Sequence, residues 1–289
     1  VDTLDALGST ALHHAVSGRH LAIASLLVGA GASLRRRGPE GKHALLMAAE
    51  RGDLELVRFL AEAGAPVKKA DKAGVQPVHW TALNGNVPVL EFLLSQGASI
   101  RAQDKKGTEP MHWAALEGSV ETLAFIQARG GDVHATSTEG VQPLHWAAGV
   151  GHSAMVAWLL NARADPNVLD ARGTGPVHFA AAQDRAQVVH LLAEGRADIE
   201  ASSSGQQGMR PAQVAAGMGA VSALSALLSA RAAPDAADTA RRRAVHSAAE
   251  SGHGDILNIL VAHRAELSPV DARNRKPVQL AAESGHVQA

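Results

Sequence analysis

The sequence contains no cysteine and no tyrosine, and aromatic residues make up only 3% of it. Without cysteine there is no disulfide framework, no zinc–thiolate site and no thiol nucleophile. A cysteine-free chain suits a reducing compartment, so the expected location is intracellular, in the cytoplasm, with an organelle as the open alternative. Neither sign of charge dominates: 27 Lys and Arg stand against 28 Asp and Glu. A nucleic-acid surface needs a clear basic excess, so nucleic acid is not an expected partner. No apolar run approaches the ~20 residues of a membrane span, and no signal peptide is visible, so no direct membrane insertion is expected from this segment. The first residue is Val1 rather than Met, which fits a fragment or a processed product. What abounds is alanine, roughly a fifth of the chain, the residue with the best helix propensity.

One stretch recurs. VQPVHWTALNGN begins at Val75, TEPMHWAALEGS at Thr108, VQPLHWAAGVGH at Val141 and TGPVHFAAAQDR at Thr174. Their histidines, His79, His112, His145 and His178, are 33 residues apart. The same step backwards reaches Leu46 in HALLMAAERGD and His13 in TALHHAVSGRH. Forwards, Gln213 follows after 35 residues, then His246 and Gln279 after 33 more each. Nine copies fill the 289 residues, and such a period takes precedence over every other fold signal. Behind each copy lies an apolar run at helical spacing, such as VPVLEFLLSQGASI or GDILNILVAHRAEL. Ahead of it comes a turn with Asp and Gly, such as DKAG at Asp71, DKKG at Asp104 and DARG at Asp170. Each copy is thus expected as turn, short helix, tight Gly link, second helix and loop. One copy cannot bury both helices, so neighbours must stack.

The run Thr-Pro-Leu-His, then x-Ala-Ala, Gly-His and Leu-Leu-x-x-Gly-Ala-Asp, matched best by the middle copies, resembles the ankyrin repeat. The resemblance spans essentially all 289 residues. It implies an all-α fold, an ankyrin-repeat solenoid of stacked helix-turn-helix units, with β-turn finger loops along one edge and a concave recognition face. The expected organisation is a single array, 1–289, with copies at about 1–37, 38–70, 71–103, 104–136, 137–169, 170–204, 205–237, 238–270 and an incomplete 271–289. Departures from the motif are Leu46, Gln213 and Gln279 in place of His. The ninth copy stops at Ala289, before a second helix. Repeat arrays need polar capping repeats, and none is evident at the C-terminus, so the parent chain is expected to continue.

All eight Phe and Trp residues fall on two ladders. Phe59, Phe92, Phe125 and Trp158 sit in runs such as LEFLL and VAWLL and are expected in the core. Trp80, Trp113, Trp146 and Phe179 follow the motif histidine; they either pack between copies or line a groove for a peptide. The motif histidines, His13, His79, His112, His145, His178 and His246, recur in register. A catalytic histidine needs one specific partner, so six copies point to structure. By the resemblance, each imidazole bonds backbone groups of adjacent turns. His20, His152, His253 and His286, at the Gly-His position, carry the same expectation. The pair His13-His14 lacks a third ligand, and neither a metal nor a cofactor is expected.

Gly31, Gly64, Gly97 and Gly130 follow the second helix of copies one to four, the place of a left-handed cap. Copies five to eight have Arg163, Arg196, Arg231 and Arg264 there, which implies strain or a shifted cap. These arginines are either lineage habit or a basic stripe for an acidic partner. Two triplets, Arg35-Arg36-Arg37 and Arg241-Arg242-Arg243, read as solvated finger loops or acidic contacts. Ile199 to Arg210 holds the two extra residues of the array; its Ser, Gly and Gln mark a flexible finger that tolerates insertion.

In ankyrin repeats the variable finger and first-helix positions face the ligand. In copies three to six these include Val75, Trp80, Leu83, Asn84, Trp113, Leu116, Glu117, Val141, Trp146, Val150 and Phe179, an unusually apolar set. The flanking copies carry Glu50, Arg51, Gln207, Glu250 and Glu283 instead. The expected site is a partner-binding groove centred on copies three to five, taking another protein or an extended peptide. The expected function is a non-catalytic scaffold or adaptor, with membership of a larger complex open. The alternative is the substrate-recruiting part of a larger enzyme. The Leu/Val-His-Trp-Ala-Ala form is similar to the ankyrin region of Asp-His-His-Cys palmitoyltransferases, where an Asn and the Trp of the next repeat hold an extended peptide; Asn84 and Trp113 match that pair. The catalytic Cys and membrane helices of that family are absent from these residues. No phosphate loop, nucleophile elbow or carboxylate pair stands outside the repeat register, so no enzyme activity is expected of this segment.

Overall fold

The structure, a computed structural model, describes residues 1–205 and 208–286. Gln207 and Ala289, which entered the reading above, lie outside the described residues. Among the described residues the chain is all-α, without a strand. It divides into two compact units, Val1–Thr138 and Glu139–Ala289.

In the first unit the helix pairs are α1 (Ala11–Ser17) with α2 (Leu21–Gly29), α3 (Ala44–Glu50) with α4 (Leu54–Glu62), α5 (Pro77–Leu83) with α6 (Val87–Ser95), and α7 (Pro110–Glu117) with α8 (Val120–Ala128). In the second they are α9 (Pro143–Val150) with α10 (Ser153–Asn161), α11 (Pro176–Ala182) with α12 (Ala186–Glu194), α13 (Pro211–Met218) with α14 (Val221–Ser229), and α15 (Ala244–Ser251) with α16 (Gly254–Ala262), followed by α17 (Pro277–Glu283). Within each unit first helices pack on first helices and second helices on second helices. The reason is in the side chains. First helices present an Ala-Ala pair (Ala48-Ala49, Ala114-Ala115, Ala147-Ala148, Ala180-Ala181, Ala215-Ala216, Ala248-Ala249), each residue at most 2% exposed, which lets backbones approach closely. Second helices supply the bulk: Leu56, Leu60, Leu90, Leu93, Leu123, Ile126, Met155 and Leu159 are at most 1% exposed.

Local chemistry sets the helix starts. Six first helices open on proline, whose missing N–H and fixed φ suit that place: Pro77, Pro110, Pro143, Pro176, Pro211 and Pro277. Asp53, Asn86 and Ser119 cap second helices by accepting from Leu56, Val89 and Thr122 N–H at 3.1, 3.2 and 3.2 Å. The fingers are Asx turns. The Oδ1 of Asp71, for example, accepts from Ala73 and Val75 N–H at 2.8 and 2.9 Å, and Asp104, Asp170, Asp238 and Asp271 repeat this. Successive fingers are joined by single backbone bonds, Lys105 N–H to Ala73 O (3.0 Å) in the first unit and Ala171 N–H to Glu139 O, Gly205 N–H to Arg172 O and Ala272 N–H to Ala240 O (each 2.8 Å) in the second.

The left-handed caps are where the sequence puts them. Gly31, Gly64, Gly97 and Gly130 have φ of 88°, 92°, 83° and 90°; Arg163, Arg196, Arg231 and Arg264 hold 68°, 67°, 73° and 61°. The arginines take the strain rather than shifting the cap. The second aromatic ladder differs from expectation. Phe92 is buried, at 8% exposure, but Phe59, Phe125 and Trp158 are only half-buried. Cations lie over two rings of the ladder: Arg58 is 4.9 Å from the Phe92 ring centre and Arg129 4.6 Å from that of Phe125.

Candidate functional site

The face between fingers and first helices is set by buried imidazoles. The Nδ1 of His79 accepts the Gln76 N–H at 3.1 Å, closing the start of α5. Its Nε2 then carries the hydrogen and donates to the Ala102 and Thr108 carbonyls at 3.0 and 3.2 Å. His145 donates likewise to Thr174 O (3.1 Å) and His178 to Met209 O (3.2 Å). Thr108, Thr174 and Met209 occupy one register, four residues past the turn position, so each imidazole pins the finger residue that lines the face of the next copy.

Where histidine is missing the bonds survive. Gln213 accepts the Arg210 N–H at 2.8 Å through Oε1 and donates through Nε2 to Arg242 O at 2.6 Å. In the second copy the buried His43, three residues before Leu46, accepts from Leu46 N–H at 3.4 Å and donates to Lys69 O at 2.9 Å. Sequence reasoning missed this substitution, although a spare histidine one turn upstream of a defective motif was a usable signal. Burial holds the pKa of His79, His145, His178, His13 and His246 below that of a free imidazole, and that of His43 at about 4. Of the Gly-His residues, His253 ties back to Gly217 O at 3.2 Å. His20 is exposed and makes no capping bond.

On this face one pair of positions, eight residues apart, changes character along the chain. It is Lys42–Glu50 in copy two (2.9 Å), Arg242–Glu250 in copy eight and Arg275–Glu283 in copy nine (3.3 Å), all ion pairs. In copies three to seven the same positions hold Val75/Leu83, Thr108/Leu116, Val141/Gly149, Thr174/Ala182 and Met209/Gly217. Ionic copies thus bracket uncharged ones. Burial opposes the charge of Lys42, but its bonds to Glu40 and Glu50 carry its pKa above the ordinary lysine value. Its ammonium also lies 4.7 Å from the Trp80 ring centre.

In the first unit, Trp80 and Trp113 meet edge to face, with ring centres 5.5 Å apart, and Trp113 also meets His79 at 5.7 Å. In the second unit Phe179 meets His145 at 5.2 Å in the same way. Trp80, Trp113 and Phe179 thus pack against a neighbouring ring and stay half-buried. Leu83, Val141, Trp146 and Val150 are half-buried too, while Asn84, Leu116 and Glu117 are exposed. Val75, by contrast, is 6% exposed and offers almost no surface to a partner. Asn84 donates its amide to the Glu50 and Ala49 carbonyls at 2.6 and 3.4 Å, so that end of its side chain ties two copies together. Residues the sequence reading passed over here are Gly149, Ala182, Met209, Val214 and Gly217. Aligning the copies on the ion-paired positions was the signal that finds most of them.

One defect is local. The Trp113 indole N–H donates to Thr108 Oγ1 at 3.1 Å, and that hydroxyl donates to the Asp104 carboxylate. The Trp80 indole N–H is buried without an acceptor, because valine stands at the matching position, Val75. An orphaned buried donor costs about 1–3 kcal/mol. Val75→Thr supplies the acceptor, with Asp71 in place to take the new hydroxyl proton. It is expected to stabilise the protein by about 1 kcal/mol, read as a higher urea midpoint at unchanged m-value; an unchanged or lower midpoint would reject the account.

Among the described residues, no three His, Cys, Asp or Glu side chains group as metal ligands, and no helix is long and apolar enough to cross a membrane. A family model described as ankyrin repeats (3 copies) matches residues 1–71, 45–137, 111–203 and 144–239. No curated protein matches the chain at a significant level.

Proposed function

The chain belongs to the ankyrin-repeat family, and from that membership we propose that it is a non-catalytic scaffold that holds an extended segment of another protein on its finger and first-helix face, as an adaptor within a larger assembly. Ankyrin repeats are in general protein-interaction modules and are typically non-catalytic. The observation that carries the reading is the exchange of ion pairs for uncharged residues in copies three to seven. A solvated face keeps its charges; within either unit, uncharged positions beside half-buried rings have the make-up of an interface. In the first unit Trp80, Leu83, Trp113 and Leu116 are the anchors. In the second they are Val141, Trp146, Val150 and Phe179. Half-buried rings held at one edge make good anchors, because their conformational freedom is spent before a partner arrives.

Cross-linking mass spectrometry on partners captured from lysate tests this. Cross-links are expected next to the fingers and first helices of copies three to six. Trp113→Ala and Trp146→Ala should each weaken capture about tenfold, the ~1.4 kcal/mol of one interface residue, while the helical circular-dichroism signal persists. Cross-links gathered on the second helices, or capture unchanged in both variants, would overturn the reading.

A further inference from the structure

In the second unit three cavities lie in series along the same face. One of about 460 Å³ is lined by Arg172, His178, Met209 and Val214. The next, about 360 Å³, shares Met209 and Val214 and adds Gly217, Met218, Arg242 and Glu250. The third, about 300 Å³, shares Arg242 and Glu250 and adds Asp271, Arg273 and Arg275. The middle of this groove is apolar. Met209 and Val214 are half-buried, and Met218, with 60% of its surface exposed, is a large apolar side chain left open to solvent. Methionine adapts its shape to what it covers, which suits a binding floor. The space is not forced by packing either. Gly217 lies inside α13 with ordinary helical φ, and a Cβ there would meet Ser247 at an unstrained 3.7 Å. Glycine is a poorer helix former than alanine, and here the room it leaves opens onto the cavity.

The charges divide cleanly. Every carboxylate lining the groove is engaged: Asp238 accepts from Ala240 and Arg242 N–H (2.9 and 2.8 Å), Glu250 pairs with Arg242, and Asp271 pairs with Arg275 at 2.9 Å. Arg172 at one end and Arg273 at the other are exposed, and among the described residues no carboxylate pairs with either. We propose that this groove is a second docking site, for an extended peptide that seats one large apolar side chain on Met209, Val214 and Met218 and places an acidic residue on Arg172 and another on Arg273. The proposal rests on the interaction-module reading but uses none of the tryptophans. Charge complementarity selects the occupant: two unpaired cations flank an apolar floor whose own acids are already satisfied.

The test uses a fluorescein-labelled twelve-residue peptide with one central Phe between two pairs of Glu, measured by polarisation against the whole protein. Binding is expected to weaken at least tenfold when Phe is replaced by Ala or the Glu residues by Lys. Arg172→Glu and Arg273→Glu should each weaken it about tenfold, and Gly217→Leu, which fills the cavity while favouring the helix, should abolish it with an unchanged or higher melting temperature. If the peptide binds wild type and Gly217→Leu alike, or a single-stranded oligonucleotide displaces it and ignores Gly217→Leu, the proposal is overturned. Peptide binding that falls with Trp80→Ala but not with Gly217→Leu overturns this site and leaves the tryptophan face standing. Loss of lysate capture in the tryptophan variants is read separately, so the two readings fail independently.

Discussion

Acidification from pH 7 to pH 5 is expected to lower the melting temperature steeply. The cause is the row of buried imidazoles. Each accepts a backbone N–H on Nδ1 and is therefore neutral; a proton there would face another donor in a dry site. The folded protein resists protonation, whereas the unfolded chain takes it up near the ordinary pKa of about 6.5. A group whose pKa is depressed by folding contributes its full stability above the unfolded value and loses it as pH falls towards the folded one. The window is thus from about 6.5 down to about 4, the value held by His43. For His43 alone the loss at pH 5 is about 2 kcal/mol. His13, His79, His145, His178 and His246 act in the same direction. Depressed carboxylates such as Asp271 matter only below this window. The array already holds its own control in Gln213, which makes both bonds without a titrating group. The triple variant His79→Gln, His145→Gln, His178→Gln should fold and show a markedly flatter dependence of melting temperature on pH. An equal slope in wild type and variant would show that the imidazoles are not the source.

Replacing Arg163, Arg196, Arg231 and Arg264 together by glycine is expected to raise stability by about 2 kcal/mol. All four hold φ between 61° and 73°, where a Cβ crowds the following carbonyl at a cost of about 1 kcal/mol. Part of that gain is returned. Each arginine carries a positive charge at a helix C-terminus, worth about 0.5 kcal/mol on an exposed surface. Copies touch only their neighbours, so the four net gains of roughly half a kcal/mol add. Urea denaturation measures the sum. The quadruple alanine variant is the decisive control, because alanine removes the charge and keeps the Cβ; it should be no more stable than wild type. If alanine and glycine stabilise equally, charge repulsion rather than backbone strain was the cost.

What the sequence made legible was whatever repeats. The 33-residue period gave the helix pairs, the finger turns and the left-handed caps, including those occupied by arginine, because every copy votes on the same position. Exceptions were harder. His43 escaped notice because it supplies the imidazole from the N-cap instead of the third helical residue, and only coordinates reveal that the ring reaches the same kind of bond. Val75 looked like surface because its register faces the groove, yet its short branched side chain is buried. The half-buried Phe59, Phe125 and Trp158 belong to the same lesson: an apolar run says that a helix packs, not how much of each ring the next copy covers. The open space beside Gly217 was invisible for a simpler reason, since a glycine in a sequence does not announce what its missing side chain leaves empty.

At the finger tips the bonds from one copy to the next run mostly from backbone N–H to backbone carbonyl, with the Thr138 hydroxyl adding one to the Lys106 carbonyl. Lys72, Lys105, Arg172 and Arg273 at the tips are exposed, and none of the backbone bonds uses their side chains. Substitution at these tips is therefore expected to change the charge offered to a partner while the backbone bonds between fingers stay in place.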